Sequence, residues 1–248
     1  GQPRLWPRTG AMLTSAGVTD AFPAGSRRGV DARARRCRRK FLHYFRGGFR
    51  DPTYLDWERD YKVAVHDRWQ SVLGRPELDR LIEEERYLEA ATLAAQVEQR
   101  SRHPMLFSFE KMALRDAIRT EAGARQFVLG LRDFLHGDAP RKERFLAFGR
   151  VLDGLPRRQT RVHTWPLHTV FGFIARPRQE MFVKPLTMKR AAEAYGFELE
   201  YASRPGWTTY ASVLRFAEQV RRDVEDLGPR DMIDLQSFIW VLGSTEYA

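Results

Sequence analysis

Residues 159–174 read QTRVHTWPLHTVFGFI, and the fold class turns on how this stretch is taken. Thr160, Val162, Thr164, Thr169 and Val170 are β-branched, and Trp165, Phe171 and Phe173 are aromatic. That composition suits a pleated surface. Residues 175–179 (ARPRQ) are turn-like around Pro177, and residues 180–184 (EMFVK) resume an extended pattern. The segment reads as a β-hairpin or two short strands, with Pro166 forcing a strand edge or a break. Residues 197–201 (FELEY) alternate apolar and acidic side chains and suggest a third strand.

Outward from this core the pattern is helical. Residues 187–195 predict a short helix closed by Gly196, Thr208 or Thr209 opens another over 209–226, and a last one covers 230–242. Upstream, Asp51-Pro52 is a cap followed by a first-turn proline. Behind it Tyr54, Trp57, Tyr61, Val65 and Trp69 form one aromatic, core-facing helical stripe over 53–73. Helical periods follow over 77–101, 107–119, 121–136 and 139–154, and the character changes at Leu155-Pro156. The expected fold class is α+β and mainly α-helical: a disordered or extended basic tail at 1–37, a helical part at 38–155, and a smaller part at 156–248 with a short antiparallel sheet. Residues 33–46 (ARARRCRRKFLHYF) are expected as a basic helix whose end docks on the body. Residues 1–30 are open to reading as a transit peptide or as an extension ahead of a start at Met12.

The chain has 248 residues, net charge +10 and a pI near 10.1, which suggests an anionic partner. The excess is local: residues 1–50 hold 12 Lys and Arg against 2 acidic residues, while residues 51–248 balance at 30 each. Within the body, residues 157–190 carry 8 basic residues against Glu180 alone. A single cysteine excludes an intramolecular disulfide framework and a cysteine-rich zinc site. No HExxH, P-loop, dinucleotide fingerprint or nucleophile elbow occurs, and no metal or cofactor is expected. No apolar run reaches the roughly 18 residues a membrane span needs, so no membrane association and a cytoplasmic location are expected.

The strip 157–190 is the leading candidate site. Arg157, Arg158, Arg161, Arg176, Arg178, Lys184, Lys189 and Arg190 interleave with His163, Trp165, His168, Phe171 and Phe173. Cations neutralise phosphates and aromatic faces stack on unpaired bases, so DNA or RNA is the expected partner. In the plainer alternative Trp165, Phe171 and Phe173 are core and the arginines pair with the acidic segment 191–248. Glu180 and Lys184 invite comparison with metal-dependent nucleases, although no upstream carboxylate completes the set. His163 and His168 are candidate acid, base or hydrogen-bonding groups. Asp231 is expected to cap the last helix, with Asp234 suiting its dipole. Cys37, among arginines, is expected to have a lowered thiol pKa if it is folded.

The stretches FRDPTYLDWERDYK, LFSFEKMALRDA, RQTRVHTWP, FVKPLTMKRAAEAYGF and PRDMIDLQSFIWV resemble an uncharacterised bacterial protein family, over about residues 40–247. The resemblance implies no activity and carries over no site residue. Three functions follow from the residues. The first is nucleic-acid binding through Arg157, Arg158, Arg161, His163, Trp165, Arg176, Arg178, Lys184, Lys189 and Arg190. The second is an enzyme with its site near His163, His168, Glu180 and Lys184. The third is an interaction protein or homo-oligomer that exposes an apolar patch around Trp240.

Overall fold

Asp51 caps the helix that Pro52 opens, its Oδ1 accepting the Thr53 N–H at 2.9 Å. The computed structural model describes residues 24–99, 101 and 103–247. The helices run in the order α1 (Ala24–Tyr44), α2 (Pro52–Tyr54), α3 (Asp60–Leu73), α4 (Arg75–Glu83), α5 (Tyr87–Gln99) and α6 (Ser108–Ala117). They continue as α7 (Glu121–His136), α8 (Arg141–Gly154), α9 (Trp165–Ala175), α10 (Pro185–Tyr195), α11 (Trp207–Asp223) and α12 (Met232–Gly243). A π-helical turn, Leu55–Arg59, joins α2 to α3.

Among the described residues there is no strand, so the expected α+β class with a short antiparallel sheet is corrected to all-α. The supposed hairpin is α9. Thr164 sits at its N-cap, Pro166 occupies the first turn, and all eleven residues are buried against α3, α6, α7 and α8. A helix that is apolar all round shows no 3.6-residue period, and its β-branched and aromatic content then imitates a strand.

The other two predicted strands, 180–184 and 197–201, carry no regular secondary structure, and several backbone N–H groups in and beside them donate to side chains. Met181 N–H donates to Tyr210 Oη and Val183 N–H to Thr169 Oγ1, both at 3.0 Å. Glu200 N–H donates to Ser212 Oγ at 3.1 Å and Ala202 N–H to Thr209 Oγ1 at 2.9 Å. Buried hydroxyls replace the neighbouring strand that such a backbone would otherwise need.

The tail expected over 1–37 lies partly outside the described residues, at 1–23. From Ala24 the chain is helical, and the basic helix docks through Ala34, Cys37 and Phe41, all buried, against α10 and α12. Burial pushes the Cys37 thiol up and outweighs Arg36 and Lys40, the reverse of the expected lowering. Gly196 closes α10 at φ +79°, as predicted. Asp231 caps α12, its Oδ1 accepting from Ile233 and Asp234 N–H at 3.0 and 3.2 Å. No helix among the described residues is long and apolar enough to cross a membrane.

The tightest helix contact is between α10 and α12. A Cβ on Gly243 would lie 2.0 Å from Thr187 O and 3.0 Å from Ala191 N. Gly243→Ala is therefore expected to lower stability by at least about 1–3 kcal/mol in urea denaturation, because backbone on both sides must move. An unchanged midpoint would refute this packing.

Candidate functional site

The π-helical turn decides what faces inward at the start of α3. It adds a residue to the helical repeat and rotates the following side chains. Trp57, expected on the core stripe, is 53% exposed, and Glu58 takes the interior position at 3%. Lys62, one turn later, is also buried, and its Nζ donates to Glu58 Oε2 at 3.0 Å and Ser237 Oγ at 2.8 Å. Glu58 Oε1 accepts the Tyr247 hydroxyl at 2.7 Å. The ion pair is thus closed by α12 and by the 3-10 turn Thr245–Tyr247.

A second buried carboxylate holds this corner in place. Asp234, fully buried on α12, accepts from Tyr54 Oη at 2.6 Å, Arg59 Nη1 at 2.9 Å and Arg230 Nε at 2.9 Å. Burial raises its pKa, but the hydrogen bonds from Arg230 and Tyr54 and the charge of Arg59 outweigh that and hold it below the usual carboxylate range.

Above the Glu58–Lys62 pair lies a cleft of about 590 Å³. Its floor carries Glu58, Lys62, Tyr61 and Gln236, and its walls carry Trp57, Phe107, Phe182, Trp240 and Tyr247. The Gln236 amide oxygen is buried without a hydrogen-bond partner among the described residues. Lys184 reaches the cleft from the start of α10, its Nζ 3.4 Å from the centre of the Phe107 ring and 4.0 Å from Glu110 Oε2. Burial lowers the Lys184 pKa and raises that of Glu110.

The protonation states of the floor are fixed. Burial would lower Lys62, but Tyr61 and Glu58 hold it above the ordinary lysine value. Burial raises the phenols of Tyr61 and Tyr247, and in Tyr247 the hydrogen bond to Glu58 adds to the effect. An ammonium and two phenols locked this way at neutral pH suit holding a ligand better than moving protons.

The predicted basic strip does not form one row. Arg157, Arg158 and Arg161 are exposed on the loop between α8 and α9, while His163 and Trp165 are buried. Trp165 donates its Nε1–H to Ala202 O at 3.0 Å and packs near Phe145, so its face is not open to a base. Arg176 donates to Leu135 O at 2.8 Å and to Gln179. Arg178 is exposed in the following turn, and Lys189 and Arg190 are exposed on α10, with Lys189 Nζ over the Tyr201 ring.

The four residues of the expected enzyme site also separate. Glu180 is buried and tied to Arg141 and to Tyr210 Oη, at 2.9 and 2.7 Å, while Lys184 lies in the cleft. His163 and His168 do meet, with His163 Nε2 2.9 Å from His168 Nδ1. Gly149 makes room for both rings, because a Cβ there would come within 3.1 Å of His168 Cε1. Among the described residues no three His, Cys, Asp or Glu side chains gather in a way that could hold a metal ion.

Sequence reasoning missed the cleft. Its one signal was Glu58 and Lys62, a charged pair four residues apart between the aromatics of the 53–73 helix. Lys62→Met, which leaves Glu58 buried without its cation, is expected to cost about 3–5 kcal/mol. Urea denaturation of the variant measures this, and a loss under about 1 kcal/mol would mean that Glu58 reaches water.

No protein-family model, no curated protein and no solved structure matches this chain.

Proposed function

We propose that the chain binds a small organic ligand in the cleft above Glu58 and Lys62. The observation that carries this reading is the unpaired Gln236 amide oxygen in a cleft walled by aromatic rings. A volume near 590 Å³ falls within the usual range of small-molecule sites, which are mostly apolar with a few convergent polar groups. Buried polar atoms without partners are uncommon in folded proteins, and a ligand donor would complete this one. The walls favour a flat, partly apolar molecule, and Gln236 favours one with an N–H group. An N-heteroaromatic compound has both properties. Trp57 and Trp240 line the site, so binding is expected to change tryptophan emission with a saturable curve. Adenine, cytosine and hypoxanthine are suitable probes. Gln236→Leu should weaken binding at least about tenfold, the worth of one hydrogen bond at a buried site. Linear, unsaturable quenching by all three would refute the reading.

Nucleic-acid binding remains a second reading, supported by α1 more than by the strip 157–190. This helix carries eight Lys and Arg against Asp31. Arg33, Arg35, Arg36 and Arg39 are exposed on it, while Arg38 pairs with Asp226 at 2.6 Å. The apolar side chains of its docked half, Ala34, Cys37 and Phe41, face the core, so the charged surface has phosphates as its natural partner. Affinity for labelled single- and double-stranded DNA and RNA is expected to fall steeply with salt. In an Arg35→Ala/Arg36→Ala/Arg39→Ala variant the log–log slope should flatten by about 2–3. An unchanged slope would remove α1 from the interface.

A further inference from the structure

On another face, Asp153 of α8, Arg157, Arg161 and His163 of the 155–164 loop, and Arg204 before α11 surround a polar pocket of about 170 Å³. Room for about five or six waters, at about 30 Å³ each, accommodates a tetrahedral oxyanion. Three guanidinium groups face a single carboxylate there. Arg204 gives one terminal nitrogen, Nη2, to Asp153 at 2.7 Å, while Arg157 and Arg161 form no ion pair among the described residues.

The pocket floor is one proton short. His168 Nε2 lies 3.1 Å from Phe145 O, a pure acceptor, so that nitrogen carries the hydrogen. Burial and the neighbouring His163 push His168 down to about 3, so it holds a single proton at neutral pH. Its Nδ1 therefore accepts, and His163 Nε2–H donates to it at 2.9 Å. Neutral His163 then turns a bare Nδ1 toward Asp153 Oδ1 at 3.0 Å, acceptor against acceptor. Three links need three protons, and two neutral rings supply two. Burial lowers the His163 pKa and the hydrogen bond and charge of Asp153 raise it, leaving it below the ordinary value.

We propose that this pocket binds a phosphate-type oxyanion between Arg157, Arg161 and Arg204, and that binding takes up a proton at His163. The anion adds negative charge beside the ring and favours the imidazolium, which donates to Asp153 and His168 together. The charged or titratable groups facing His163 are Asp153 from α8, His168 from α9, Arg157 and Arg161 from its own loop, and Arg204 from the segment before α11. Although burial raises it, the Asp153 carboxyl is held below the usual range by the hydrogen bonds from Arg204 and His163, and His168 stays neutral, so the pH dependence belongs to His163.

Sulfate is the probe, because its own charge is constant over that range. Calorimetric titration of the full chain is expected to show sulfate binding that tightens from pH 8 to pH 6, by up to about tenfold per unit. The heat should also vary with buffer ionisation enthalpy, reporting proton uptake. Arg157→Ala/Arg161→Ala, on an exposed loop, should abolish binding, and His163→Gln should keep binding but lose its pH dependence. Absence of sulfate binding, or full binding by the double variant, overturns the site. Binding without proton uptake overturns the coupling. A short single-stranded oligodeoxynucleotide that sulfate displaces would identify a nucleic-acid backbone as the source of the anion. Sulfate binding with no oligonucleotide binding would identify a free phosphate ester, and either result upholds the pocket.

Discussion

The buried carboxylate of Asp234 organises the corner on which the cleft depends. It draws hydrogen bonds from Tyr54, Arg59 and Arg230, and Arg59 also clasps Asp231 through both of its terminal nitrogens. A charge with no exposure to water survives only when its lone pairs are filled, and here four donor groups fill them, counting the Arg230 N–H. The arrangement pins the start of the α2–π–α3 helix to the start of α12. With that register fixed, Glu58 and Lys62 fall opposite Ser237 and Tyr247. The cleft is thus a product of two adjacent buried ionic clusters, one closed within the fold and one lining the cleft floor.

Much of the helical outline was legible, for physical reasons. Each of the helices between residues 52 and 154 buries one face and wets the other, so the 3.6-residue period survives in the sequence. Asp51, Asp231 and Gly196 were readable because capping chemistry is local. What failed was α9, where burial on every side erased the period. The segments around Met181–Val183 and Glu200–Ala202 were read as strands but carry no regular secondary structure. The sheet inferred from them was wrong, because hydroxyls from α9 and α11 took the place of neighbouring strands.

The candidate sites were less legible. The cleft gathers side chains from residues 56–62, 103–107, 182–184 and 236–247, and no local motif links them. Nothing in the sequence marked the π-helical turn that brings Glu58 inward and sends Trp57 out. The strip 157–190 looked coherent only along the chain. Folding sends Lys184 to one cleft, Arg157 and Arg161 to a pocket elsewhere, and Trp165 into the core. Charge density in a linear segment does not survive as a surface when the segment contains a fully buried helix.

The bonds from Tyr54 to Asp234 and from Glu58 to Tyr247 join positions 180 and 189 residues apart. On a translating ribosome, the segment around Glu58 therefore emerges long before the groups that neutralise its surroundings. At about 5–20 residues per second, the wait is roughly 10–40 s. During that time a carboxylate and an ammonium destined for the interior can stay hydrated, while Tyr54 and Trp57 have Phe41 and Phe45 to pack against but not yet α12. Completion of this corner thus waits on α12, and the nascent chain has reason to need shelter until that helix arrives.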